Sequence, residues 1–131
     1  MRELDRLVAA VAFTVLIGNA DAHGKNLALL HVDGGSVELA PLYDLVPTVL
    51  WPRLRRTPAM AIGPRVTTID RTGVTDVVGE AAGWGHAATR ARSVVRDLAE
   101  RALAAVVDED VIEHEQVAEL VAANARRLLA G

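Results

Sequence analysis

Residues Leu16 to Asp44 read LIGNADAHGKNLALLHVDGGSVELAPLYD, and the organisation of the chain follows from this stretch. An apolar helical run stops at Gly18, and Asn19, Asp21, His23, Lys25 and Asn26 then crowd into eight residues. Two strand-like runs, LALLHV and SVELA, flank Asp33-Gly34-Gly35, and the next carboxylate, Asp44, follows Tyr43. A polar loop at the mouth of a hairpin, with a carboxylate brought back by that hairpin, can hold a metal–phosphate complex.

Upstream, residues 2–17 read as a helix with Leu4, Leu7, Val8, Val11 and Val15 on one face. Its later turns are apolar nearly all round, which predicts a central, buried position. Arg2, Glu3, Asp5 and Arg6 read as a mixed-charge helix start. Gly18-Asn19 is a C-terminal stop. The hairpin strands fall near 27–32 and 36–40, and Pro41 ends the second.

Downstream, a short helical turn is expected near 46–50. Pro47, Pro52, Pro58 and Pro64 argue against long elements, so 51–72 reads as an irregular loop, mobile or in contact with a partner. Its Arg53, Arg55 and Arg56 read as a solvated face. Thr72 or Thr75 is expected to cap a short helix to Ala82, ended by Gly83 and Gly85. Residues 86–107 form the clearest helix, with Ala87, Ala91, Val94, Val95, Leu98, Ala102, Leu103 and Val106 on one stripe. Asp108 or Asp110 is expected to cap a last helix through Ala130, with Val117, Leu120, Val121, Asn124 and Leu128 inward.

Composition narrows the classes. A chain of 131 residues that is 51% hydrophobic fits one well-buried domain. With no cysteine there are no disulfides or thiolate metal sites, which is compatible with a cytoplasmic protein. A formal charge of −3 gives no reason to expect direct nucleic-acid or membrane binding, and Leu7 to Ile17 is too short to span a bilayer. Thirteen of the fourteen basic residues are Arg; the one lysine is Lys25, inside the central motif.

Phosphoryl transfer needs a carboxylate at the attacking hydroxyl, hard oxygen ligands for Mg²⁺ and a cation near the transferred group. Asp21 and Asn26 have the spacing of a D-x-x-x-x-N catalytic loop, in which the Asp faces the hydroxyl and the Asn turns to the metal. Asp44 is then the second metal ligand, and Lys25 a contact for the terminal phosphate of ATP. The same residues also suit plainer roles. Asp and Asn are favoured in turns, and Asp44 could cap a helix starting near Leu45. His23 can contact a phosphate, position Asp21 or brace the loop through its ring nitrogens.

LIGNADAHGKNLALL, LAPLYDLVPT and AMAIG at 59–63, with the helical tail containing GWGHAATRARSVVRDLAERA, resemble the C-terminal part of the HipA-type serine/threonine kinases of bacterial toxin–antitoxin systems. The resemblance implies a mainly α, protein-kinase-like C-lobe over 1–131, with one small hairpin carrying the active-site loop. It implies Asp21 as catalytic residue and Asn26 and Asp44 as Mg²⁺ ligands; beside them, His23 and Lys25 stand as the candidate ATP-binding residues from the motif itself. Protein substrates, in some members aminoacyl-tRNA synthetases, and a DNA-binding antitoxin partner are implied as well. Nothing in these residues corresponds to the family's N-terminal lobe, with its phosphate-covering loop and lysine. The expectation is therefore an isolated chain that binds ATP–Mg²⁺ weakly and transfers no phosphate until another lobe or chain completes the site. Two other readings fit the same residues: a catalytically silent kinase remnant that binds a partner protein, and a fragment of a small-molecule or lipid phosphotransferase.

Of the remaining side chains, Tyr43 is expected to wall the site with its hydroxyl bonded nearby. Trp51 and Trp84 are expected as core or partner-contact anchors. His31, His86 and His114 read as packing or surface residues without zinc spacing.

Overall fold

The computed structural model describes residues 3–108 and 114–131. Helix α1 (Glu3–Leu16) is rich in Val and Ala, with Val8, Ala12, Val15 and Leu16 fully buried, so it runs through the centre of the molecule. Helices α2 (Val74–Gly83), α3 (Ala88–Val107) and α4 (Glu115–Ala130) pack around it. Their inner faces meet it through Val77, Ala81, Val95, Ala99, Ala125 and Leu128. Strands β1 (Leu29–His31) and β2 (Val37–Leu39) form one antiparallel hairpin, with Leu29 opposite Leu39 and His31 opposite Val37. Its turn takes Gly34 and Gly35 at positive φ, which glycine adopts without steric cost. A single-turn 3-10 helix at Thr48–Leu50 stands where the helical turn near 46–50 is expected. The fold is mainly α with one hairpin.

The hairpin lies outside the core. Glu3 at the start of α1 accepts the Leu39 N–H at 2.6 Å, and Arg6 reaches Glu38 at 3.7 Å. At the other end of α1, the last carbonyls need partners. Buried Asn124 of α4 donates its amide to the carbonyls of Val15 (3.1 Å) and Leu16 (2.9 Å). Leaving such buried acceptors unpaired costs about 1–3 kcal/mol. Asn124 thus works as a C-cap supplied from the far end of the sequence.

Several expectations are corrected here. Leu4 is exposed and Asp5 takes the buried position on α1. The side chain of His86, expected on a helix surface, is 9% exposed and lies against Asp5. Its Nε2 sits 2.9 Å from Asp5 Oδ1, while Arg90 donates from Nε and Nη2 to the same carboxylate, at 2.8 Å for Nη2. A charge cannot be buried without such partners, and here they come from the start of α3 and the turn before it. Neither Thr72 nor Thr75 caps α2: Gly73 is the N-cap, and Asp76 accepts its N–H at 2.8 Å. Arg65 clasps Asp76 with two bonds, 2.8 Å from Nε and 2.7 Å from Nη2. Asp108 ends α3, α4 is preceded by His114, and Asp110 lies outside the described residues.

Segment 51–72 carries one 3-10 turn, Ile69–Arg71, and is tied down at intervals. The Ala59 N–H donates to the Ala20 carbonyl (2.8 Å), the Gly63 N–H to Glu80 (2.9 Å) and the Ile69 N–H to the Arg56 carbonyl (2.8 Å). A Cβ on Gly63, at φ +77°, would stand 2.5 Å from the Asp76 carbonyl oxygen. AMAIG therefore runs from the loop after α1 to the N-terminus of α2, and its glycine is what permits the close approach.

The two Arg-bonded carboxylates make stability pH-dependent. Arg90 hydrogen bonds hold the Asp5 carboxyl below the ordinary 3.8 against the opposing effect of burial, and His86 adds to this. Arg65 does the same for Asp76, again against burial and aided by the Gly73 N–H. A carboxyl lowered in the folded state contributes its stability above the unfolded value and loses it as pH falls through the folded one. The melting temperature should therefore hold between about pH 7 and 5 and drop below about pH 4. Asp5→Asn should lower it at neutral pH and flatten the acid limb. An unchanged gap between variant and parent at about pH 3 would contradict this origin.

Candidate active site

The site is built on a chain reversal at Gly18. Gly18 has φ +66°, and a Cβ there would stand 2.5 Å from Val49 Cγ2. Both the left-handed backbone and the contact with the 3-10 turn at 48–50 require glycine. The Thr48 hydroxyl accepts the Ala20 N–H at 2.9 Å and donates to the Gly18 carbonyl at 3.3 Å. The Val49 N–H donates to the same carbonyl at 3.2 Å. Residues 18–20 are thereby fastened to residues that follow the hairpin.

Asn19, 2% exposed, spans the two halves of the motif. Its Oδ1 accepts the Asp21 N–H at 3.1 Å, and its Nδ2 points to the Asp44 carbonyl at 3.5 Å. Asn26 closes the loop: its Oδ1 accepts the His23 N–H at 3.0 Å, and its Nδ2 faces Asp44 Oδ2 at 3.4 Å. Two side chains 18 residues apart in sequence thus meet across the hairpin mouth. Asp44 adopts φ +58°, the one non-glycine residue at positive φ among the described residues. Asp tolerates that region better than most residues, at a cost of about 1–2 kcal/mol. The Tyr43 hydroxyl donates to the Lys25 carbonyl at 2.5 Å, walling the site as expected of it. Lys25 itself is exposed.

Two hollows adjoin the loop. One, of about 30 Å³, is lined by Asn19, His23, Asn26, Tyr43, Asp44 and Met60, and has room for a water or a bare ion. His23 Nδ1 is buried without a partner among the described residues. The other is a groove of about 260 Å³, and Asp21 lines it together with Thr48, Leu54, Arg55 and Thr57. The motif predicts Asp21 in the same cleft as Asn26 and Asp44; instead Asn26 and Asp44 line the first hollow and Asp21 the second, so the motif is divided between the two sides of one loop.

Hard side-chain oxygens from Asn26 and Asp44 suit Mg²⁺, which usually takes one or two protein ligands and completes its shell with water and phosphate. Among the described residues no three His, Asp or Glu side chains form a closed metal cage. The unpaired His23 nitrogen beside the pair is a further polar group with bonding capacity to spare. Sequence reasoning gave Asn19 only the role of a helix stop and gave Thr48 none. Asn19 stood within the motif as a signal, whereas nothing in local sequence marks Thr48.

A family model described as the HipA-like C-terminal domain matches residues 1–108. A Sinorhizobium fredii protein named Putative kinase Y4mE is 52% identical over 62 residues, which cover 47% of this chain and 14% of that protein. Among solved structures, HipA of Shewanella oneidensis, in a complex with HipB and its operator DNA, superposes with a TM-score of 0.68 at 26% identity. That match covers 96% of this chain and 30% of HipA, so the chain spans less than a third of either relative.

Gly18→Ala should be strongly destabilising, through about 1–2 kcal/mol for the left-handed backbone plus the clash with Val49. Adding Val49→Ala should remove the clash and leave the backbone cost, so the two changes should cost less together than summed. Denaturant unfolding of the four proteins of the cycle measures this. Strict additivity would mean that Val49 does not crowd Gly18.

Proposed function

The chain belongs to the HipA-like C-terminal domain family, and from that premise we propose that it is the C-lobe of a protein kinase that moves the ATP γ-phosphate to a serine or threonine hydroxyl. The observation that carries the reading is the meeting of Asn26 and Asp44 at 3.4 Å, with Asp21 on the adjoining groove. Asp21, exposed and without a recorded partner for its carboxylate, accepts the hydrogen bond of the acceptor hydroxyl and takes its proton. Asn26 and Asp44 would hold Mg²⁺. To use its oxygen for this, the Asn26 amide has to exchange its present partners, since Oδ1 now serves the His23 N–H and Nδ2 faces Asp44. When bound, the metal would offset the phosphate charge and align the group for in-line transfer. His23 lines the same hollow, and its buried, unpartnered Nδ1 is the group this reading assigns to a phosphate oxygen or a water. Lys25, exposed at the loop's outer edge, supplies the local positive charge.

In this reading the remaining nucleotide contacts come from outside the chain, from a covering lobe on the same polypeptide or on a partner. A protein substrate and a DNA-binding antitoxin partner belong to the same proposal, supported by the HipA–HipB complex of the structural relative. The cytoplasm is the proposed location. Among the described residues no helix is long and apolar enough to cross a membrane.

Substitutions in an assembly that completes the nucleotide site separate the two roles. Asp21→Asn keeps size and removes the proton acceptor, so turnover should fall by about 10²–10⁴-fold while ATP–Mg²⁺ affinity persists. Asp44→Asn removes ligand charge and should weaken both. Calorimetry with ATP and Mg²⁺, a radiolabel transfer assay and melting temperatures report on all three quantities. If Asp21→Asn sharply lowers the melting temperature while turnover survives, Asp21 is a structural loop residue and the assignment fails.

A further inference from the structure

Between Asp44 and Asp70 the chain carries four arginines, Arg53, Arg55, Arg56 and Arg65, and no Asp or Glu. The fold uses two of them: Arg65 clasps Asp76, and Arg56 pairs with Asp70 at 3.5 Å. Arg53 and Arg55 are exposed and have no recorded partner among the described residues. Arg55 lines the groove of Asp21, yet the two are not paired within the 4.0 Å of a salt bridge. The groove is therefore lined by a carboxylate and a guanidinium that do not pair with each other, together with apolar Leu54 and Ala59. In a chain of net charge −3 this is a local excess of positive charge beside the residue that receives the hydroxyl.

We infer that this groove binds an extended peptide whose serine or threonine hydroxyl sits at Asp21 and whose neighbouring acidic side chain pairs with Arg55. The inference rests on the kinase reading and adds to it the charge of the substrate segment. The groove's volume of about 260 Å³ accommodates two or three side chains. An acidic neighbour pairs with Arg55, whereas a basic neighbour at that position meets like charge and is repelled. Apolar Leu54, half exposed, gives the intervening backbone a surface to lie on.

Fluorescence anisotropy with the 131-residue chain tests this through four labelled peptides: serine flanked by Glu, by Gln or by Lys, and the Glu peptide with Ala in place of Ser. The Glu peptide should bind tightest, by about threefold or more over Gln, with a preference that shrinks as salt rises. Arg55→Glu should invert the order of the Glu and Lys peptides at unchanged melting temperature. Asp21→Asn should reduce the preference for Ser over Ala and leave that for Glu over Lys. The inference is overturned if Arg55→Glu leaves the order unchanged, if the Lys peptide binds the parent chain best, or if no peptide binds at about 1 mM. Calorimetry of ATP–Mg²⁺ with Asp44→Asn distinguishes the underlying reading. Unaltered nucleotide binding there, with peptide selection intact, would remove the kinase assignment and leave an acidic-peptide groove. Lost nucleotide binding without peptide selection would remove the groove alone.

Discussion

The Thr48 hydroxyl bonds both the Gly18 carbonyl and the Ala20 N–H, and so fixes where α1 gives way to the candidate-site loop. Everything in the site inherits its position from that join. Gly18 turns the chain back, Asn19 is buried beneath it, and Asp21 is carried out into the groove. On the return path the hairpin delivers Asp44 at positive φ, and Asn19 and Asn26 meet it from the loop. A short loop with few apolar contacts would otherwise be mobile. Here Asn19 and Asn26 are braced by Asp44, and the loop backbone by Thr48 and Tyr43, all of which the hairpin and the following turn have brought close.

Carboxylates fall into two groups. Asp5 and Asp76 are buried, clasped by Arg90 and Arg65, and join elements distant in sequence. Asp21 and Asp44 are exposed and carry no such clasp. The arginines divide in the same way, with Arg65 and Arg90 used in the fold while Arg53 and Arg55 remain open to solvent. The fold thus neutralises the charges it buries and keeps a small, mixed set of charges around the loop.

Much of this was readable in the sequence where the signal is local. Helical periodicity located α1, α3 and α4, and Asp33-Gly34-Gly35 located the hairpin. The hairpin in turn made the approach of Asn26 to Asp44 foreseeable, because pairing Leu29 with Leu39 brings the strand ends together. The misreadings have separate physical causes. Asp5 looked like a solvated helix start because its partners lie 81 and 85 residues away. Gly73 gave no capping signal of its own, since the bonding group is the Asp76 side chain within the helix. Placement of Asp21 and of Asn26–Asp44 on different sides of the loop depends on backbone directions that residue spacing does not encode.

The bond from Asn124 to the end of α1 has a consequence for synthesis. Its partners are 108 and 109 residues apart, and α1 is apolar nearly all round. At about 5–20 residues per second, α1 leaves the ribosome roughly 5–20 s before the side chain that closes its C-terminal end. During that interval α1 has neither α3 nor α4 to cover it. Slow translation of the codons for α3 and α4 would lengthen the exposure.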